Sequence, residues 1–127
     1  KQHSDTLRAK DIEPILFMSW PYKNTPKMQV ALEKAFFDAA TTNRIRLIPA
    51  GPAFFYVNQN FPEINLYTND NRHPSPAGTY LAALMVFATL TDKSPIGNSY
   101  TMGLDKDAAK TLQEVAWLTH QNFQQKN

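Results

Sequence analysis

The chain of 127 residues has no cysteine and only four glycines. The lack of cysteine excludes disulfide bonds and cysteine-ligated metal sites. Long apolar runs are also missing: the longest, residues 81–88, is far shorter than the roughly 20 residues that span a bilayer. No segment carries an excess of one charge, since acidic and basic residues are interspersed and the net charge is only +2. These features argue against a nucleic-acid partner and against a membrane partner.

Apolar residues make up 43% of the chain, which is enough for the core of one domain covering residues 1–127. The sequence starts at Lys1 without an initiating methionine, a signal peptide or a leading apolar element. We therefore expect the chain to be the C-terminal part of a larger domain. The composition leaves the compartment open, with the periplasm and the extracellular space included.

Two short apolar runs, residues 15–18 and 46–49, predict β-strands buried on both faces. Between them, Thr25-Pro26 predicts the start of a helix that reaches about Thr42. A strand, a helix and a strand in this order predict a parallel crossover unit. Because two strands alone do not form a stable sheet, we expect an α/β fold. It would be part of a flavodoxin-like, doubly wound parallel sheet in a three-layer α/β/α arrangement.

The second half of the chain predicts mostly helix. Ser75-Pro76 has the cap-then-proline pattern of a helix start, and residues 80–90 are apolar on nearly every side. Asp105 is expected to cap a last, amphipathic helix. The aromatic residues 53–60 are compatible with a short helix or with a covering loop.

The polar segment before Ser75 holds the candidate chemistry, because Asp70 lies three residues before His73. Within a turn, this spacing lets both side chains face one cleft. An ester hydrolase needs an imidazole that accepts the proton of a serine hydroxyl, and a carboxylate that holds the imidazole in the right tautomer. The same spacing also fits an aspartate that caps a turn and a histidine that is simply exposed.

The sequence LYTNDNRHPSPAGTYLAA, residues 66–83, resembles the last block of the SGNH (GDSL-type) hydrolases. In that block an Asp-x-x-His-Pro-x-x-x-Gly turn precedes an apolar helix. The resemblance implies that His73 is the general base, that Asp70 orients it and that Gly78 permits close helix packing. It further implies hydrolysis of a small-molecule or carbohydrate ester through an acyl-serine intermediate, with neither a cofactor nor a metal. The family's late parallel strands would correspond to residues 14–20 and 46–49.

The family's nucleophile turn and oxyanion donors have no counterpart in the expected place. No glycine precedes Gly51, and the chain has no Gly-x-Asn-Asp block. We therefore expect the serine to come from a segment upstream of Lys1 or from another chain. Gly97-Asn98-Ser99 spells a nucleophile turn, but no buried strand precedes it and Pro95 disfavours one.

Other polar candidates carry weaker signals. Ser19 ends the first predicted strand, where it could face the binding crevice or serve as a simple loop donor, and Ser4 lies near a terminus. His3 and His120 have no partner pattern. Three scattered histidines do not have the spacing of a metal site. Trp20 and Tyr22 follow the first predicted strand, where they could line a substrate pocket or simply pack.

Three hypotheses follow from the sequence. The first is the C-terminal part of an SGNH-type esterase. The second is a non-catalytic remnant or binding module that keeps the fold. The third is a homo-oligomer that completes its sheet between copies, because exposed strand edges favour pairing.

Overall fold

The computed structural model describes residues 1–124. About 56% of these residues are helical. The elements are α1 (Gln2–Arg8), β1 (Ile15–Phe17), α2 (Met28–Asn43), β2 (Arg46–Ile48), α3 (Ala50–Asn60), α4 (Pro76–Thr91) and α5 (Lys106–Gln124). No helix within residues 1–124 is long and apolar enough to cross a membrane.

The predicted flavodoxin-like, doubly wound sheet is wrong. Over residues 1–124 the only sheet has two strands, β1 and β2, and helices make up most of the structure. The physical reason is that only two segments of the sequence have the short apolar pattern of a buried strand. The other apolar residues recur at helical spacing, and α3, α4 and α5 bury them against one another.

The predicted parallel pairing of the two strands is confirmed. Ile15 pairs with Arg46 and Phe17 with Ile48, and the backbone N–H of Met18 donates to the carbonyl oxygen of Ile48 over 2.9 Å. Successive residues of a strand point to opposite faces. Ile15 and Ile48 therefore join the large core formed with α3, α4 and α5. Leu16 and Leu47 point to the other face of the sheet and pack under α2.

The start of α2 differs from the prediction. The helix begins at Met28 with Lys27 as its N-cap, and no side chain caps it. The N–H of Met28 instead donates to the carbonyl of Thr25 over 3.0 Å, and the N–H of Gln29 to the carbonyl of Pro26 over 3.1 Å. These three-residue bonds make a tighter turn ahead of the helix, which moves its start two residues along the chain.

The starts of α4 and α5 agree with the sequence. Ser75 caps α4 by accepting the N–H of Gly78 over 3.2 Å, and Asp105 accepts the N–H groups of Asp107 and Ala108. Residues 53–60 belong to α3. At Gly78 the backbone of α4 lies so close to the preceding loop that a Cβ would stand 2.2 Å from the carbonyl oxygen of Leu66. This contact sets the position of the loop that carries Asp70 and His73.

Candidate acid–base site in the loop before α4

Asp70 and His73 lie on a short loop, residues 67–74, whose ends are tied together. Tyr67 and Pro74 form an antiparallel bridge, and the N–H of Thr68 donates to the carbonyl of His73 over 2.9 Å. Within the loop, the N–H of Asn71 closes a β-turn onto the carbonyl of Thr68 over 3.0 Å. Asn71 has a φ of 60°, in the left-handed region that asparagine tolerates better than most residues.

The turn directs the carboxylate of Asp70 back into the loop, where both oxygens are used. Oδ1 accepts the backbone N–H of Arg72 over 2.9 Å and that of His73 over 3.0 Å, together with the hydroxyl of Thr68 over 2.8 Å. Oδ2 lies 2.5 Å from Nδ1 of His73. Asp70 therefore caps the turn with one oxygen and holds the imidazole with the other.

This arrangement determines which ring nitrogen of His73 is available. A carboxylate can only accept hydrogen bonds, so Nδ1 carries the proton and the lone pair lies on Nε2. Within residues 1–124, no group hydrogen-bonds to Nε2, and the side chain of His73 is 78% exposed. The ring is held at one nitrogen and open at the other, which is the geometry that a general base needs.

The hydrogen bonds to Asp70 hold the pKa of its carboxyl well below the ordinary range. The contact with the His73 side chain has the largest effect, followed by the backbone N–H groups of His73 and Arg72 and by the hydroxyl of Thr68. Asp70 is therefore ionised at neutral pH, where it can orient the ring and stabilise an imidazolium formed during a reaction.

The segment after β1 braces the Asp70–His73 loop from outside. Nε1 of Trp20 donates to the carbonyl of Arg72 over 2.9 Å, and the N–H of Lys23 donates to the carbonyl of Asn71 over 3.0 Å. The guanidinium of Arg72 lies over the ring of Tyr22 at 4.9 Å. The structure thus brings Trp20 and Tyr22 next to the candidate site, where each contacts Arg72.

Trp20 also belongs to an aromatic cluster beneath the loop. Its ring stacks on Phe54 with 4.1 Å between centroids, and Phe54 meets Tyr67 edge to face. Tyr67 is only 1% exposed, and its hydroxyl donates to the carbonyl of Pro21 over 2.7 Å and accepts Nδ2 of Asn58 over 3.1 Å. Sequence reasoning missed Tyr67 as a support, although an aromatic residue in an otherwise polar segment was a usable signal.

The serines of the described chain do not serve His73. Ser4 donates to the carbonyl of Lys1 within α1, and Ser75 donates to the carbonyl of Asn65 while it caps α4. Ser19 follows β1 and is exposed. Across residues 1–124, no serine hydroxyl is hydrogen-bonded to the imidazole of His73.

Ser99 lies in the loop between α4 and α5, and no strand precedes it. The N–H of Gly97 donates to Oε1 of Gln113 on α5 over 2.9 Å, so this segment is tied to α5. Gly97 itself adopts a φ of 86°. The context expected of a nucleophile turn, a strand directly before it and a helix directly after it, is missing at this position.

The two other histidines lie on different helices. His3 is exposed on α1, whereas His120 is buried on α5 with its Nε2 2.8 Å from Oδ1 of Asp92. Within residues 1–124, no three histidine or acidic side chains are grouped as a metal site would require. Sequence reasoning missed the partner of His120, because Asp92 lies 28 positions away along the chain.

Comparison with known proteins identifies no relative. No family model, no curated protein and no solved structure matches the chain. The likeness of residues 66–83 to the SGNH block therefore stays a prediction. The chemistry of the site has to be argued from its own geometry.

Proposed function

We propose that Asp70 and His73 are the acid–base part of a carboxylic ester hydrolase of the SGNH type. Nε2 of His73 accepts the proton of a serine hydroxyl as that oxygen attacks the ester carbonyl, and then returns the proton to the leaving alcohol. A water molecule activated by the same nitrogen hydrolyses the acyl-serine. Asp70 keeps the ring in the required tautomer throughout. A small-molecule or carbohydrate ester would be the substrate.

One observation carries this proposal: Oδ2 of Asp70 contacts Nδ1 of His73 while Nε2 has no partner within residues 1–124. An aspartate that only caps the turn is already satisfied through Oδ1, which accepts three hydrogen bonds. The second oxygen is not needed for the turn. Its use on the imidazole favours an acid–base role over a purely structural one.

The proposal requires a serine that the described residues do not present to His73. We expect it from a segment upstream of Lys1 or from a second chain. The exposed side of His73 leaves room for such an approach. Because the loss of one oxyanion donor costs about 10²–10³ in rate, the 127-residue chain alone should hydrolyse p-nitrophenyl acetate very slowly or not at all.

The test is to assay p-nitrophenyl acetate hydrolysis by a longer chain that includes the sequence encoded before Lys1. We expect it to be active, His73→Ala to abolish the activity and Asp70→Asn to lower kcat by about 10⁴. His3→Ala is the matched control, because His3 is exposed on α1 and should not affect turnover. Activity that survives His73→Ala would refute the proposal.

Ser99 offers a direct check on the expected source of the nucleophile. If the 127-residue chain is active and Ser99→Ala removes that activity, the nucleophile is Ser99. A nucleophile turn then does not need a strand directly before it and a helix directly after it. Ser19→Ala tests the exposed serine after β1 in the same way.

A binding module without catalysis is the alternative. It is favoured by the missing contact between any serine of residues 1–124 and His73. In that case the longer chain is also inactive towards p-nitrophenyl esters, whatever residue stands at position 73.

Assembly of several copies, which would complete the sheet at β1, is tested by measuring the mass of the chain in solution.

A further inference from the structure

A pocket of about 200 Å³ lies between the segment that follows β1 and the C-terminal half of α3. It shares no residue with the loop of residues 67–74. Pockets for drug-sized ligands measure roughly 300–1,000 Å³, so this pocket has room for a single ring rather than for a chain of rings. Its apolar wall consists of Pro21, Tyr22, Pro26, Phe55, Pro62 and Ile64.

Asn58 provides an oriented hydrogen-bond acceptor at this pocket. The hydroxyl of Tyr67 donates to the carbonyl of Pro21 over 2.7 Å, so it accepts Nδ2 of Asn58, which lies 3.1 Å away. This bond fixes which end of the amide carries the oxygen. Oδ1 of Asn58 has no partner within residues 1–124, and unlike the buried amide oxygens of Gln29 and Asn43 it stays accessible. A ligand that donates a hydrogen bond can therefore use it.

Lys23 provides an oriented donor from the segment after β1. Its Nζ donates to Oδ1 of Asn65 over 2.8 Å, and Nδ2 of Asn65 donates to the carbonyl of Tyr67 over 2.9 Å. The position of the ammonium group is thus set by an amide that is itself held in place. An ammonium group has three N–H donors, so two of them remain for a ligand.

The remaining polar group is the amide of Gln59, an exposed residue at the rim. No acidic side chain is present among the residues that line the pocket. A hydroxyl group both donates and accepts, so neighbouring hydroxyl groups on one ring can pair with the oxygen of Asn58 and with the ammonium of Lys23. A sugar ring also has a face of C–H groups, which suits a wall of proline and aromatic side chains.

We propose that this pocket binds one ring of a neutral sugar. One hydroxyl donates to Oδ1 of Asn58, a neighbouring hydroxyl accepts from Nζ of Lys23, and the C–H face packs on the apolar wall. An anionic ligand fits less well, because the accessible oxygen of Asn58 would face its negative charge. The inference does not rest on the proposed hydrolase function, since the pocket needs neither His73 nor a serine.

The experiment is an NMR titration of the 127-residue chain, followed through the side-chain amide signals of Asn58, Gln59 and Asn65. The probes are the methyl glycosides of glucose, galactose and mannose, together with cyclohexanol and the methyl glycoside of glucuronic acid. We expect at least one neutral glycoside to shift these signals with a Kd of about 1 mM, as is usual for so small a ligand. It should bind about tenfold more tightly than cyclohexanol, which has one hydroxyl on a ring of the same size.

Two variants with matched controls test the contacts and the location. Lys23→Met removes the ammonium group and should weaken glycoside binding about tenfold, without an effect on cyclohexanol. Lys93→Met is its control, because Lys93 is exposed just after α4. Gln59→Trp places a large ring at the rim and should abolish binding, whereas Gln121→Trp, at an exposed position of α5, should not. Circular dichroism reports that both tryptophan variants keep the fold.

Several results would overturn the proposal. They are no shift of the three amide signals with any neutral glycoside, equal binding of the glycosides and cyclohexanol, and tighter binding of the glucuronide than of the neutral glycosides. Equal effects of Lys23→Met and Lys93→Met, or unchanged binding in Gln59→Trp, would also overturn it. His73→Ala should leave the titration unchanged, and a loss of binding in that variant would assign the sugar to the Asp70–His73 loop instead.

Discussion

Replacing Gly78 with alanine should distort the candidate site from within the fold. An added Cβ would stand 2.2 Å from the carbonyl oxygen of Leu66 and 3.1 Å from Cβ of Pro74. The first of these neighbours is backbone and cannot rotate away, so the start of α4 must shift relative to the loop. The same carbonyl of Leu66 accepts the N–H of Ser75 over 2.9 Å, so the shift also strains the closure of the Asp70–His73 loop.

The expected magnitude is the balance of two opposing effects. Overpacking in a closely packed site costs about 1–3 kcal/mol, and a contact this short with backbone belongs at the upper end. Alanine in place of glycine within a helix recovers about 1 kcal/mol. We therefore expect the free energy of unfolding to fall by about 2 kcal/mol.

Urea denaturation of wild-type and Gly78→Ala proteins, followed by far-UV circular dichroism, measures this loss. Thr79→Ala is the control, because Thr79 is the next residue of α4 and is exposed. A Gly78→Ala variant as stable as the wild type would refute the close approach of Leu66 to α4, and with it the position of the Asp70–His73 loop against that helix.

Two other predictions concern the loop and its support. Tyr67→Phe should lower the free energy of unfolding, measured by urea denaturation, by about 1–3 kcal/mol, because it leaves the carbonyl of Pro21 and the amide of Asn58 without their shared partner. Tyr56→Phe is the control, because the ring of Tyr56 is exposed. Asp70→Asn should lower stability at neutral pH, where Asp70 is ionised. The folded pKa of Asp70 is depressed, so its contribution is complete above the unfolded pKa of about 3.9 and is lost as the pH falls through the folded pKa. Urea midpoints of the two proteins should therefore converge below about pH 4, and a constant difference down to the lowest pH would contradict this reasoning.

Local features of this protein could be predicted from the sequence because they depend on neighbouring residues. Ser75 and Pro76 predicted the start of α4, since a cap and its N–H partner lie within one turn. The contact between Asp70 and His73 also spans a single turn, so the two side chains meet wherever the loop lies. The parallel pairing of β1 with β2 followed from two apolar runs and the helix between them.

Only the tertiary structure decided the features that depend on distant contacts. The number of strands was predicted wrongly, because a pattern of two strands does not show whether other strands or packed helices bury their apolar side chains. The hydrogen bond from Trp20 to Arg72 joins positions 52 residues apart, and periodicity carries no information about such a pair. The catalytic roles of Asp70 and His73 remain predictions. The sequence determined the local dyad and which nitrogen of the imidazole Asp70 holds, and long-range packing decided what braces the loop.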